Sequence, residues 1–211
     1  GKHILCESPI TLDAEITKEL FLLAREKKLV LMEIIKTAFS TAYSRLLLLI
    51  KSGKIGQVVS IDSVCTSLWS AFPQHKDDAE LWSGFESWAP TALLPIYQVL
   101  GVENCEENFV TSFYEQGKKF DKFTQINVVY PNAVATARVG VGVKSEGELI
   151  ISGTKGYVYV PAPWWKTDYF EVRYENAEDN QRFFYQLDGE GIRYEIVAFA
   201  KSVEVKKPMN Y

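Results

Sequence analysis

Residues 2–38, KHILCESPITLDAEITKELFLLAREKKLVLMEIIKTA, contain two short apolar runs separated by an amphipathic segment. The first run is stopped by Pro9, and the second covers residues 29–35. Between them, leucine and isoleucine recur at three- and four-residue steps from Leu12 to Leu23, which predicts a helix that packs one face. Two strands joined by a helix through short connections form a βαβ unit, so we expect them to be parallel.

Local signals place the ends of the first two helices. Thr11 is predicted to cap the first helix, with Asp13 and Glu15 in the first turn, where carboxylates suit the positive end of the helix dipole. A second helix is predicted over residues 40–52, because its apolar side chains share one face. Gly53 follows it and can end it in a left-handed conformation.

The rest of the chain is predicted to be mainly strands. Residues 59–65 alternate apolar and polar side chains, Phe72–Glu80 is a polar loop, and residues 89–100 are a buried helix that Pro95 breaks. Further strands are predicted at 125–130, 133–143, 149–152, 157–160, 168–174 and 182–187, with a last helix at 192–203. A tight turn at residues 153–156 has glycines that permit positive φ.

These elements indicate a remnant of a parallel α/β domain followed by an α+β domain. The second part is expected to form an open, mostly antiparallel sheet with helices on one face. The odd-numbered residues from Ala133 to Val143 share one face of a strand, and their small apolar side chains suit burial against a second copy of the chain.

Composition excludes several classes of protein. The 211 residues are 47% hydrophobic and carry a net charge of −4, which favours a folded domain and argues against a nucleic-acid partner. Three distant cysteines give neither a disulfide framework nor a metal pair, so we expect a reducing, cytoplasmic location and no metal. No apolar run is long enough to cross a membrane. Because a strand begins by residue 3, we expect an upstream segment.

Common catalytic and cofactor motifs are missing from the sequence. No GxGxxG follows the first strand, and Gly140-Val141-Gly142 is better explained by close packing in a sheet. His3 and His75 have no partners at a spacing typical of zinc sites or catalytic triads, and there is no GxSxG elbow.

The opening stretch resembles a known family. GKHILCESP at residues 1–9 is similar to the Gly-Lys-His-Val-Leu-Cys-Glu-Lys-Pro of the glucose-fructose oxidoreductase, inositol dehydrogenase and MocA (Gfo/Idh/MocA) family. The similarity continues through AREKKLVLMEIIKTAFSTAYSRLLLLIKSGKIGQVVSID at 24–62, SGTKGYVYVPAPWW at 152–165 and GEGIRYEIVAFAKSV at 189–203. It implies an oxidoreductase that uses NAD or NADP and acts on sugars, polyols or related carbonyl compounds.

The resemblance also implies a domain division. Residues 1–38 would be the C-terminal remnant of a Rossmann dinucleotide-binding domain, and residues 39–211 the substrate and oligomerisation domain. Glu7, Ser8 and Pro9 would face the cofactor, because ligands of open parallel sheets bind beyond the carboxyl ends of the strands. Most of the dinucleotide half is absent from these residues, so we expect the 211-residue chain alone to bind no dinucleotide well.

The departures from the family pattern fall on its ionisable groups. Ser8 occupies the position of the family lysine, and the alignment of residues 83–101 puts Ser87 at the aspartate and Leu94 at the histidine. Thr91 falls at the family tyrosine. A one-residue slip would instead put Glu86 at the carboxylate. Serine and leucine cannot supply the proton transfer of the missing groups, so the chain alone is expected to be inactive.

Lys36 and two tryptophans are the remaining candidates. Lys36 follows the second strand and is a candidate to supply the positive charge that Ser8 lacks; the alternative is an ordinary solvated or ion-paired lysine. Trp164 and Trp165 are candidates to stack on a sugar ring, or else cover the sheet or a subunit contact. Three interpretations stay open: an oxidoreductase part, a non-catalytic ligand-binding relative, and a homo-oligomerisation domain, which in the family is commonly dimeric.

Overall fold

The structure is a computed structural model of the chain, and it describes residues 1–68, 83–114, 121–187 and 191–208. The predicted polar loop at Phe72–Glu80, with His75, lies outside these ranges. The strands are β1 Ile4–Glu7, β2 Leu31–Ile34, β3 Val58–Ser67, β4 Glu107–Tyr114, β5 Asp121–Tyr130, β6 Ala133–Val141, β7 Leu149–Gly153, β8 Tyr157–Val160, β9 Tyr169–Arg173 and β10 Gln181–Phe184. The helices are α1 Ala14–Glu26, α2 Lys36–Phe39, α3 Thr41–Lys51, α4 Gly84–Leu100 and α5 Ile192–Val205.

The βαβ unit is confirmed. β1 and β2 pair in parallel, with Ile4 opposite Leu31 and Glu7 opposite Ile34, and α1 connects them. The helix cap differs from the prediction: Asp13, not Thr11, accepts the backbone N–H groups of Glu15 and Ile16 at 2.8 and 3.0 Å. Asp13 is two residues closer to the helix than Thr11, so its carboxylate can accept the first backbone N–H groups that lack a partner within the helix.

The predicted packing face of α1 is not covered within the described residues. The helix has no buried residue, and the stripe expected to pack is exposed by 36–50%: Leu12, Ile16, Leu20 and Leu23. The helical period identified which side chains share a face, but it cannot say whether another element covers that face.

Eight strands form one open sheet in the order β10-β9-β8-β7-β3-β6-β5-β4, so the edges are β10 and β4. Among the described residues, the only parallel pair in this sheet is β3 with β6. The expectation of an open, mostly antiparallel sheet with helices is therefore confirmed.

α4 crosses the sheet as one continuous helix, although we expected Pro95 to break it. Both Pro90 and Pro95 lie inside the helix, and Pro95 is buried. α4 packs on β6, β3 and β5, so tertiary burial outweighs the loss of the two backbone donors. Its N-terminus is held by Asp121, whose carboxylate accepts the N–H of Phe85 at 3.0 Å.

The Ala133 face of β6 is buried inside the chain, not free for a second copy. Ala135, Ala137 and Val139 are at most 2% exposed and share a core with Ala92 and Ile96 of α4. Period-two alternation shows which side chains share a face, but the helix that covers them comes from a distant part of the sequence. An oligomer would have to use another surface.

The turn between β7 and β8 is confirmed, but its glycines serve a different purpose. Neither Gly153 nor Gly156 has a positive φ. A Cβ on Gly153 would lie 2.2 Å from the carbonyl oxygen of Ile55, and one on Gly156 would lie 2.6 Å from that of Arg173. The glycines allow close approach of backbones. Gly53, by contrast, does adopt the predicted left-handed conformation, with φ of 77°.

α5 returns from the end of the chain to the first unit. Ala198 of α5 joins Val30, Met32 and Ile34 in a small core of its own, separate from the main core beneath the large sheet. The Ser202 hydroxyl donates to the carbonyl oxygen of Ala198 at 2.9 Å, and its oxygen also lies 3.8 Å from the Met32 sulfur. The division at residue 38 stays a prediction, and α5, although distant in sequence, packs with residues 1–38.

Candidate functional site

A cavity of about 220 Å³ lies where β1 and β2 end. The residues that line it come from four parts of the chain: Glu7, Ser8, Ile34, Ile35, Lys36, Thr37, Trp88, Thr91, Trp165 and Lys166. The carboxyl ends of parallel strands are where open α/β sheets bind their ligands. The predicted residues Glu7, Ser8, Lys36 and Trp165 therefore line one cavity; Pro9 follows Ser8 but is not part of the lining.

Lys36 opens the single-turn helix α2 directly after β2, so its side chain starts at the strand end. Its ammonium Nζ lies 3.2 Å from Oε1 of Glu7, and both side chains are more than a third exposed. Both interpretations of Lys36 agree with the structure, because the residue lines the cavity and is also ion-paired. Its role in catalysis stays a prediction.

Ser8 is held by a carboxylate. Its hydroxyl donates to Oε1 of Glu33 at 2.6 Å, and its backbone N–H donates to the carbonyl of Ile34 at 3.0 Å. A neutral hydroxyl fixed by a carboxylate carries no charge into the cavity. The positively charged residues in the lining of this cavity are Lys36 and Lys166.

The two neighbouring tryptophans have different environments. Trp164 is fully buried and packs against Tyr43 in the main core, so it offers no ring face to a ligand and instead covers the sheet. Trp165 lines the cavity with its ring centroid 4.9 Å from that of Trp88. The Thr37 hydroxyl donates to the backbone carbonyl of Trp165 at 3.0 Å, which fixes this aromatic pair beside Lys36.

The aligned positions of α4 separate in the structure. Thr91 lines the cavity, Ser87 is exposed, and Leu94 is 6% exposed within the main core. Glu86, the alternative carboxylate, accepts the backbone N–H of Ser83 at 3.0 Å as part of a capping box at the start of α4. Glu86 therefore caps the N-terminus of α4 and does not line this cavity.

Sequence reasoning missed Trp88, Lys166 and Glu195. Trp88 and Thr91 are three residues apart on α4 and so share a face toward the cavity. Glu195 of α5 is 2% exposed, and burial raises its pKa; the negative charge of Glu7 raises it further, while Lys36 lowers it. Only the spacing of Trp88 and Thr91 was visible in the sequence.

Several other features bear on function. No cluster of three or more histidine, cysteine or carboxylate side chains in the described ranges has the geometry of a metal site. Cys6, Cys65 and Cys105 are free thiols. None of the helices within residues 1–68, 83–114, 121–187 and 191–208 is long and apolar enough to cross a membrane.

The known proteins to which the chain is similar are oxidoreductases. No protein-family model matches the chain. It is similar to trans-1,2-dihydrobenzene-1,2-diol dehydrogenase from Oryctolagus cuniculus, with 27% identity over 203 residues, which cover 92% of this chain and 61% of that protein. The enzyme of the same name from Sus scrofa is 26% identical over 180 residues, covering 84% and 53%. The chain therefore spans about half to three fifths of the length of these relatives.

A solved structure shares the fold. KijD10, a 3-ketoreductase from Actinomadura kijaniata in complex with NADP and TDP-benzene, superposes with a TM-score of 0.83 at 17% identity. The match covers 100% of this chain and 65% of that chain. At this identity, the likeness establishes the fold alone.

Proposed function

We propose that the chain is the substrate-side part of an NAD(P)-dependent oxidoreductase of the Gfo/Idh/MocA type that acts on a sugar, a polyol or a related carbonyl compound. The observation that carries the proposal is the cavity at the ends of β1 and β2, where Lys36, Ser8 and two indole rings meet. The similar dehydrogenases and the shared fold of an NADP-bound ketoreductase support it.

The proposal requires a dinucleotide-binding part in addition to these residues. A parallel sheet is normally covered on both faces and has more than two strands. In the described ranges, β1 and β2 form a sheet of two strands only, and α1 exposes an apolar stripe. Further strands of a Rossmann domain would extend this sheet, and further elements would cover the apolar stripe of α1. Residues 1–38 would then complete that domain, and residues 39–211 would form the substrate domain.

The cavity suits the nicotinamide end of a dinucleotide better than its phosphates. The hydroxyl of Ser8 and the carboxylate of Glu7 offer hydrogen-bonding groups at the strand ends, while the sequence has no glycine-rich phosphate loop. When bound, a nicotinamide would supply or accept a hydride. We expect the 211 residues alone to hold NAD or NADP weakly, because the pyrophosphate lacks its glycine turn.

The chain's own residues would orient the substrate and hold its oxygen. The Lys36 ammonium, aligned by Glu7, can donate a hydrogen bond to a carbonyl or hydroxyl oxygen and stabilise negative charge that develops there. Trp88 and Trp165 form an apolar wall on which the C–H face of a sugar ring can stack. The partner is therefore a small molecule.

A specific observation favours a second candidate, a non-catalytic ligand-binding relative. The hydroxyl of Ser8 donates a hydrogen bond to Glu33, and Leu94 is buried in the core. The residues at two of the family's proton-transfer positions therefore cannot transfer a proton to a substrate. Binding of NAD(P)H by the complete protein without turnover would support this candidate.

Homo-oligomerisation through the sheet is a separate proposal. The face opposite α4 carries Tyr159, Glu171 and Arg173, and the Arg173 guanidinium lies 4.5 Å from the centre of the Tyr159 ring. Aromatic and arginine side chains are typical of protein interfaces. A dimer in light scattering would support this face as the contact, and a monomer would count against it. A cytoplasmic location stays a prediction.

The proposed activity is tested by NAD(P)H oxidation. The complete protein that contains these residues should be assayed against a panel of sugar ketones and diketones, beside the variants Lys36→Ala and Lys51→Ala. Lys51 is exposed at the far end of α3 and serves as the matched control. We expect carbonyl-dependent oxidation that falls at least about 100-fold in K36A and is retained in K51A. An unchanged rate in K36A would remove Lys36 from the reaction.

A further inference from the structure

The cavity at the ends of β1 and β2 has more positive than negative side chains in its lining. Its charged lining residues within the described ranges are Lys36, Lys166 and Glu7. Lys36 and Glu7 balance each other in the 3.2 Å ion pair, so Lys166 gives the lining one positive charge in excess. Three further carboxylates on the neighbouring segments do not line the cavity: Glu33, Asp168 and Glu195. An excess of positive charge favours a ligand that carries negative charge.

The backbone that presents Lys166 is fixed on both sides. Residues Trp164–Lys166 form a single 3₁₀ turn, in which the amide of Trp164 donates to the carbonyl of Gly147 at 3.1 Å. The carbonyl of Trp165 accepts the Thr37 hydroxyl at 3.0 Å. Successive side chains of a 3₁₀ turn point in directions about 120° apart. Trp164 accordingly enters the core, Trp165 lines the cavity, and the exposed Lys166 lies at the rim of the cavity.

The two lysines of the lining flank one aromatic wall. Thr37 directly follows Lys36, and Trp165 directly precedes Lys166, so the hydrogen bond between Thr37 and Trp165 joins the segments that present the two ammonium groups. Trp88 packs on Trp165 between them, with ring centroids 4.9 Å apart. A ligand that uses all three features would have an oxygen at one end, an apolar face in the middle and a negative group at the other end.

We propose that the cavity takes a sugar or polyol that carries a carboxylate, and that Lys166 is the residue that recognises this carboxylate. The proposal rests on the proposed function, in which Lys36 holds the reacting oxygen and the substrate packs on the indole wall. The carboxylate then lies at the rim, where water still reaches it, so its pairing with Lys166 avoids the full cost of burying two charges. One excess positive charge matches a carboxylate, whereas a phosphate group carries nearly two negative charges.

The test compares acids with their neutral amides, which have nearly the same size and shape. The probes are glucuronate and glucuronamide, which have a ring, and gluconate and gluconamide, which are open chains. Each is titrated into the chain, and its dissociation constant is read from the indole N–H signals of Trp88 and Trp165. The variants are Lys166→Met, which removes the charge, Lys166→Arg, which keeps it, and the remote control Lys51→Met.

We expect at least one acid to bind about 5-fold more tightly than its amide in the original chain, because an exposed charge pair is worth up to about 1 kcal/mol. The preference should persist in K166R and K51M, disappear in K166M, and shrink at high salt, since salt screens exposed charges. The affinity for the amides should stay the same in all variants.

Three outcomes would overturn the proposal. The first is equal affinity for acids and amides in the original chain, and the second is a preference that K166M retains. The third is tighter binding of glucose 6-phosphate than of glucuronate, with the difference lost in K166M, which would assign Lys166 to a phosphate. Each leaves the proposed function standing, because sugars would still bind at the indole pair. If no compound binds, the substrate site itself is contradicted, and the proposal about Lys166 falls with it.

Discussion

The Lys36 ammonium lies 3.2 Å from Oε1 of Glu7, and the two residues come from the carboxyl ends of two paired parallel strands. Glu7 is the last residue of β1, and Lys36 follows β2 after one intervening residue. The pairing in parallel is what brings two residues 29 positions apart to one cavity. The same pair has Trp165 on one side and the buried Glu195 within electrostatic range.

The Lys36–Glu7 pair should contribute little to stability. Both side chains are more than a third exposed, and ion pairs of this kind are typically worth less than about 1 kcal/mol. We expect Lys36→Met and Glu7→Gln each to change the free energy of unfolding in urea by less than about 1 kcal/mol. A loss greater than about 2 kcal/mol in either variant would show that the pair serves the fold and not the cavity.

Trp164 and Trp165 should respond in opposite ways to truncation. Trp164 is fully buried, so Trp164→Ala is expected to lower the free energy of unfolding by about 3–5 kcal/mol. Trp165 is only partly buried, and Trp165→Ala should cost clearly less. Urea unfolding of both variants checks this, and equal losses would contradict the separation of a core residue from a cavity residue.

Alanine substitutions at Gly153 and Gly53 should differ in their effect on stability. In Gly153→Ala the new Cβ would meet the Ile55 carbonyl oxygen at 2.2 Å, so the backbone must shift, and we expect a loss of about 2–3 kcal/mol. In Gly53→Ala nothing lies within 4 Å, and only the strain of φ at 77° remains, about 1 kcal/mol. Thermal unfolding that ranks G53A as the more damaging would contradict this account.

Glu195 should make stability fall as pH rises. Its pKa is raised in the folded chain, so over the window from the unfolded value, about 4.3, up to the raised folded value the native state binds more protons than the unfolded state. The stability that this proton contributes is complete below the window and is lost through it. We expect Glu195→Gln, compared with the original chain in urea at several pH values, to become relatively more stable across that window. A pH-independent difference would mean that the pKa is not raised.

Much of the fold could be predicted because its signals are local. Period-two and helical patterns identified the βαβ unit, the 153–156 turn and the last helix, and Gly53 identified a helix end. The patterns did not show that α4 continues through Pro95, because the burial that stabilises it comes from strands 26 to 46 residues away from Pro95 in the sequence. For the same reason, the Ala133 face could be recognised as apolar but not as already covered.

The residues of the candidate site also differ in whether local sequence patterns could predict them. Lys36 and Glu7 could be expected at one place, since parallel strands end at the same edge. Trp88 and Glu195 reach that place through the packing of α4 and α5, and no short-range pattern in the sequence reports those contacts. Trp164 and Trp165 are adjacent in sequence, yet one enters the core and the other the cavity, and only the packing around Gly147 and Thr37 separates them.

The central claim, that the cavity beside Lys36 receives the substrate, is tested most directly by the indole N–H signals of the tryptophans. In ¹H–¹⁵N spectra of the chain titrated with a panel of sugars, polyols and diols at millimolar concentration, we expect the signals of Trp88 and Trp165 to move with saturation. The signal of the buried Trp164 should stay in place. A panel in which no compound moves Trp88 or Trp165, or in which the shifts map to other surfaces, would contradict the account.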